Sequence, residues 1–543
     1  MRRPAPGCKQ RAKGLVRRGS FRDNAALVHR FLTPAFALIR EPRTREFLCY
    51  CLPALILGLT LRVLLIAQLP MGIYHDDTPD FIVTADRLLH EHRLEIHAKK
   101  TFLVPLVFSI PFLLHVPALV VIPLFQHALG LGLIVLTGLL CRLWFVHWKW
   151  FIVPLTCATA ANPFILWYEH TLMAESLFVV CTVLVAFAGT LYALAPTRRR
   201  FVFLCVALVV EAGARPEGKL LFGFGIFLVA LIHARAWRTE WPRVAGIAVL
   251  GLATHFATRT SQAGLLLYTS VAKMTPTELR CAPGFDPYIA PIRAELQARW
   301  TEHFAFPKVR DRRAVSAAVA KYLKENPGFA TSQKHQDLNS FCLRLAMETC
   351  RRNLFALPQH AVRKFRAVVV ESPAGWLDGE WLLDIQREAF VGNVPLAARL
   401  GPGLSGRTLA TEEEIDEFLN TNYREIPWFN NLNAAWLNTV NRWRFPDTKI
   451  PAVPGKSAAS YYFGVPYFYA VGAIGLLAAM LRRGELRALH FSWGLTLLGF
   501  FFVIMLTANV RPRFRFVFEP FWCIYIALLA ETAWLGVKGL VRR

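Results

Sequence analysis

Apolar runs of about twenty residues recur along most of this chain, and no other feature restricts its fold as strongly. Most are long enough, at about 1.5 Å per helical residue, to approach the roughly 30 Å of a bilayer core. Ten such stretches lie at about 47–69, 118–141, 150–168, 172–194, 201–215, 219–235, 243–258, 460–481, 489–509 and 515–537. With 55% hydrophobic residues, the 543-residue chain cannot be a set of ordinary soluble domains. The net charge of +25 would suit nucleic acid, but Lys and Arg stand in short clusters at the ends of apolar runs, with no basic stripe interleaved with aromatics. An all-α polytopic membrane protein is expected.

The basic clusters fix an orientation. Those at 1–45, 142–149, 198–200, 233–243, 482–487 and 538–543 should all be cytoplasmic, and one threading satisfies all six. It requires Thr101 to His115, broken by Pro105 and Pro111 and followed by Pro117, to lie as a half-buried or re-entrant helix. The basic start has no apolar core and cleavage site of a signal peptide directly behind it, so residues 1–45 read as a cytoplasmic tail. Within it, Phe21 to Arg40 is either an interfacial amphipathic helix or plain tail. Residues 46–258 form an N-terminal transmembrane module with a first outer loop at 70–117. Residues 259–458 are polar with helical patterns and read as an inserted, mostly helical extracytoplasmic domain, and 459–543 carry C-terminal transmembrane helices. Both termini are then cytoplasmic, in an inner (cytoplasmic) membrane.

Ionisable residues at a membrane are costly and therefore candidates for function. Under this threading five charged places meet on the outer side: the Asp76/Asp77 loop, Glu169 to Glu175, Arg215 to Glu217, the 259–458 segment and Arg511 to Arg515. Asp76 and Asp77 repel each other and have no basic neighbour before Arg87, as befits a general base. Asp76 or Asp80 could instead cap the helix starting near Pro79. Tyr168, Thr171 and Glu175 recur at helical spacing, and a buried pair with an Arg of another span would also satisfy Glu175. Arg215 falls below the outer surface, where Glu211, one turn earlier, could neutralise it; Glu217 could be an ordinary loop residue. Arg511, Arg513 and Arg515 alternate with Pro and Phe on the side that should lack positive charge, a pattern suited to a lipid phosphate. His90, His92 and His97 are a weak metal pattern, and Gln126 with His127 reads as a buried hydrogen-bonded pair. Cys281, Cys342 and Cys350 could form a disulfide in an oxidising compartment.

The ordered set of motifs resembles the glycosyltransferase C superfamily, in its bacterial branch related to protein mannosyltransferases and aminoarabinose transferases. Asp77, Phe81 and Ala85 fit the first-loop spacing Asp-x-x-x-Tyr-x-x-x-Ala, with Phe for Tyr; "QHALG" from Gln126, "NPFILWYEHTLMAESL" from Asn162, "RPEG" from Arg215 and "RPRFRFVFEP" from Arg511 follow in order. The 259–458 domain departs from relatives whose soluble domain is C-terminal. The resemblance implies a bundle of about 10–12 helices and a sugar donor on a polyprenyl phosphate, used at the outer membrane face. It implies Asp77 as inverting base, with Asp76 as the alternative, and an acceptor hydroxyl on a glycan, lipid or protein. Arg215, Arg511, Arg513 and Arg515 would hold the donor phosphate, and Glu175 would complete the catalytic set by orienting the acceptor, an arginine or the sugar. Tyr168, His170 and Glu217 would position substrate. No cofactor is required, a divalent metal being compatible but chemically unnecessary. The rivals are a polytopic transporter or lipid flippase, a lipid-linked glycan polymerase or ligase, and a non-enzymatic scaffold.

Overall fold

The structure is a computed structural model that describes residues 42–73, 78–91, 101–257, 324–325, 338–359, 361–362, 411–424, 426–429, 464–482, 484–507 and 516–541. These residues are helical almost throughout; their one isolated β-bridge is parallel, between Ile73 and Thr171. In chain order the helices used below are α1 (Pro42–Gln68), α2 (Thr78–His90), α3 (Leu103–Leu113), α4 (Ala118–Trp144), α5 (Ile152–Ala160), α6 (Pro163–His170), α7 (Glu175–Leu194), α8 (Arg198–Ala214), α9 (Leu221–Ile232) and α10 (Trp237–Ala257). After them come α11 (Leu338–Arg352), α12 (Glu412–Asn422), α13 (Gly464–Leu481), α14 (Arg487–Thr507) and α15 (Glu519–Val541).

Each of the ten expected stretches coincides with one of these helices or with a bent pair of them. Four helical segments, Arg45–Gln68, Ala118–Trp144, Glu175–Leu194 and Glu519–Lys538, are long and apolar enough to cross a membrane. Two bent pairs raise the count to six: Lys149–Ala160 with Phe164–His170, bent by 49°, and Pro216–Ile232 with Ala234–Ala257, bent by 75°. The described residues thus fit an all-α membrane protein. α3 has eleven residues, about 16 Å of helix, and is too short to cross.

The break between α5 and α6 follows from local sequence. Asn162 ends the first piece and caps the second, its side-chain oxygen accepting from the Phe164 and Ile165 amides at 2.9 and 3.2 Å, with Pro163 in the first helical position. A second break, at Thr171–Ala174, separates α6 from α7. Tyr168, Thr171 and Glu175 therefore do not share one helical face as their spacing implied: Tyr168 is in α6, Thr171 is its C-cap, and Glu175 begins α7.

The bundle is built by α4 against α1, α5 and α7, by α8 against α7, and by α9 against α10 and α14, while α15 packs on α13. Close approach depends on small residues. A Cβ at Gly475 of α13 would lie 2.1 Å from the backbone oxygen of Tyr525 in α15. Glu531 of α15, which is fully buried, joins that helix to the segment after α4 and to the end of α13. One of its oxygens accepts from the amides of Val146, His147 and Trp148, just past α4, and the other from Arg482 at 3.0 Å. From the inserted segment, α12 carries a Thr411/Glu414 capping box, and the residues after it dock on the end of α1: the Arg424 amide donates to the Gln68 carbonyl and the Gln68 side chain to Tyr423. Cys342 and Cys350 are free and stand eight positions apart on α11 and its last turns, about 12 Å, too far to bridge each other; Cys281 lies outside the described residues.

Candidate functional site

The end of α1, the starts of α4 and α7, and the ends of α6 and α8 gather at one end of the bundle. Backbone bonds tie them. The Gly72 amide donates to the Leu119 carbonyl, Ile73 donates to the His170 carbonyl at 2.7 Å, and its own carbonyl accepts from Leu172 at 3.0 Å. Gly72 is needed here because a Cβ would meet Leu172 at 2.3 Å and Pro123 at 2.4 Å. Five positions after Ile73, the Thr78 hydroxyl donates to the Leu172 carbonyl. Ile73 and Thr78, which bracket residues 74–77, are thus both moored to the segment between α6 and α7.

That segment leads directly into an ionic group. Arg215, at the end of α8, donates to Glu175 through Nη1 and to Glu217 through Nε at 3.1 Å, and its guanidinium lies 5.6 Å from the Phe178 ring. Glu175 is buried, Arg215 is 9% exposed, and one cation faces two carboxylates. The alternative that Glu211 neutralises Arg215 by direct contact is not what is observed: Glu211 takes the Thr182 hydroxyl at 2.6 Å, because the chain turns into extended backbone at Arg215 and carries its side chain toward α7. Glu217 is a partner of Arg215 and not a bystander in the loop.

A second group sits behind the same mooring. Arg62, inside α1, donates to Glu169 at 2.6 Å and to the Gly58 carbonyl at 2.9 Å. The other oxygen of Glu169 is 2.9 Å from Nδ1 of His127, whose Nε2 is 3.0 Å from Nδ1 of His170. All four side chains are buried. Gln126 and His127 are both buried and hydrogen-bonded, but they do not pair with each other: Gln126 donates to the Met173 carbonyl and to Ser176, because consecutive helical residues point about 100° apart. Sequence reasoning missed Arg62 and Glu169 as a unit. The signal was present, since Arg62 is an ionisable residue in the middle of an apolar run.

Of the predicted site residues, Glu175, Arg215 and Glu217 are in contact, and Tyr168 and His170 are buried on α6 beside them in the chain. Asp76, Asp77, Arg511, Arg513 and Arg515 lie outside the described residues, as do His92 and His97. Asp80 falls inside the first turn of α2 and not at its cap, where a carboxylate still meets the positive end of the helix. Phe81 and Ala85, the other members of the first-loop pattern, are both buried on α2, and Phe81 packs edge-on against Phe108 of α3. Among the described residues no group of three or more His, Cys, Asp or Glu is placed to hold a metal ion.

No protein-family model matches the chain, and no curated protein does. Among solved structures it is similar to the Archaeoglobus fulgidus oligosaccharyltransferase in its complex with Zn and sulfate, at 12% identity and a TM-score of 0.40, over 90% of this chain and 49% of that one. The chain spans about half the length of that structure, and a likeness at this level carries no argument about chemistry.

Proposed function

We propose that the chain is a membrane glycosyltransferase that moves a sugar from a polyprenyl phosphate to an acceptor hydroxyl at the outer membrane face, with inversion and with an aspartate base. The observation that carries the reading is the contact of Arg215 with the buried Glu175 and the part-buried Glu217, beside the mooring of Ile73 and Thr78 on the adjoining 170–172 segment. Asp77, the base in this reading, directly precedes Thr78 in the chain.

In this reading Asp77 accepts the proton of the acceptor hydroxyl as its oxygen attacks the anomeric carbon. Asp76 is its alternative. The lipid phosphate departs as an anion and needs cationic donors. Arg215 has its donors engaged by two carboxylates, so the phosphate falls mainly to Arg511, Arg513 and Arg515, while Arg215 supplies the counter-charge that keeps Glu175 and Glu217 in place. Those carboxylates, with Tyr168 and His170 of α6, orient sugar or acceptor. A lipid phosphate is a competent leaving group, and the step balances without a metal.

The test is turnover of purified polyprenyl-phosphate sugars by the reconstituted chain. Asp77→Asn should lower transfer by at least about 100-fold, the range of a lost general base, without changing the melting profile. Unchanged turnover would remove Asp77 from the mechanism.

A further inference from the structure

Glu211, in the last turn of α8, is fully buried and has no part in the transfer described above. The turn at Pro216–Leu220 folds back over it: a Cβ at Gly218 would press on the Glu211 carbonyl and stand 3.0 Å from its Cγ. Oε1 of Glu211 is 2.6 Å from the Thr182 hydroxyl of α7, and its Oε2 meets no hydrogen-bond partner among the described residues. The same hydroxyl is 2.9 Å from the carbonyl of Phe178, four positions earlier in α7.

These contacts fix where the hydrogens are. A hydroxyl has one hydrogen to donate. If Glu211 were a carboxylate, Thr182 would face two oxygens that can only accept, and one of its two contacts would set lone pair against lone pair. A buried anion would also stand without a cation in hydrogen-bonding reach, because the Arg215 guanidinium, one turn on, is drawn to Glu175 and Glu217. If Glu211 carries a proton on Oε1, it donates to Thr182, Thr182 donates to Phe178, and each short contact has its hydrogen.

We propose that Glu211 is a neutral carboxylic acid whose proton is held by Thr182, and that its neutrality positions Arg215 by leaving the guanidinium to Glu175 and Glu217. Glu211 stands four positions before Arg215, the spacing at which an ionised glutamate attracts an arginine along a helix. Neutral, it exerts no such pull, and Arg215 crosses to Glu175, joining the end of α8 to the start of α7. The other titratable groups near Glu211 are Glu217, in the covering turn, and Cys181 of α7. An ionised Glu211 would be a third carboxylate gathered around one cation. The inference rests on the reading above only in treating the Arg215 group as part of the working site.

Infrared spectroscopy of the reconstituted chain at neutral pH, with glutamate isotope-labelled at its side-chain carboxyl carbon, reads the proton without any sugar transfer. The labelled bands lost between wild type and Glu211→Gln should be those of a protonated carboxyl, with the carboxylate bands unchanged. Thr182→Val removes the acceptor and should move the protonated-carboxyl band to higher frequency, and Thr182→Ser should restore it. Glutamine keeps the shape and neutrality of the acid, so Glu211→Gln should hold the wild-type melting midpoint. A double-mutant cycle of Arg215→Gln with Glu175→Gln should give equal coupling in the wild-type and Glu211→Gln backgrounds. Loss of carboxylate bands in Glu211→Gln, a band that ignores Thr182→Val, a Glu211→Gln chain that does not fold, or a coupling that changes between backgrounds overturns the proposal. Failure of the glycosyltransferase reading would leave every one of these measurements unaffected.

Discussion

Gly130 shows how little room the buried ion pair leaves. A Cβ there would lie 1.8 Å from Oε1 of Glu169 and 2.6 Å from Nη2 of Arg62, whereas a Cβ at Gly132, half a turn on, meets nothing within 4 Å. Gly130→Ala must shift the ends of the Glu169 and Arg62 side chains inside a buried site and so is expected to destabilise, by up to roughly 3–5 kcal/mol if the pair is broken. Gly132→Ala should be neutral or stabilising by up to about 1 kcal/mol. Melting profiles of the two purified variants check this, and equal behaviour would mean that the Arg62–Glu169 contact is not as tight as described. At this scale the sequence was half legible. Glu175, Arg215 and Glu217 stood out because charges within or beside apolar runs demand a partner. Which partner each chose was not readable, since Glu175 and Arg215 are 40 positions apart and only the packing of α7 on α8 brings them together.

Among the elements, the broken helix α5–α6 is the informative case. Apolar length predicts one span over 150–168, and the chain instead bends by 49° at a capped junction. The "NPF" of Asn162 to Phe164 holds the cap signal, but in a continuous apolar run hydropathy outweighs it. Asn162 does two things there: it caps α6 with its oxygen and donates through Nδ2 to Glu519 of α15 at 2.7 Å. Aspartate caps as well as asparagine, so Asn162→Asp would be nearly silent if capping were the whole role. With Glu519 opposite, it sets two carboxylates against each other. Asn162→Asp is therefore expected to lower the thermal midpoint more than Asn162→Ala, whose cost should be about 1–2 kcal/mol from the lost cap. The reverse order would show that the contact with α15 contributes nothing.

For the molecule as a whole, alternating basic clusters and apolar runs made the helical, membrane-type architecture readable, and each expected stretch has its helix. Of the five charged places expected to converge, Asp76/Asp77 and Arg511 to Arg515 lie outside the described residues. The structure joins the 170–175 segment, Arg215 to Glu217, the anchors of the first loop, and Tyr423 and Arg424 of the inserted segment at one end of the bundle. The threading further requires position 513 to share that face. Single cysteines placed at 77, 513 and 199, in a chain stripped of its eleven native cysteines, should answer this with a membrane-impermeant maleimide. Positions 77 and 513 should react from one side of sealed vesicles and 199 from the other. Reaction of 77 and 513 from opposite sides would end the shared-site reading. The join at Glu531 has a mechanical corollary. Three amides and an arginine converge on one buried carboxylate at the rim opposite the ionic groups, so that rim is riveted shut. Pulling α15 away from the turn after α4 would strip three amide donors from a buried carboxylate, so that rim resists opening as the welded end of a pair of tweezers does.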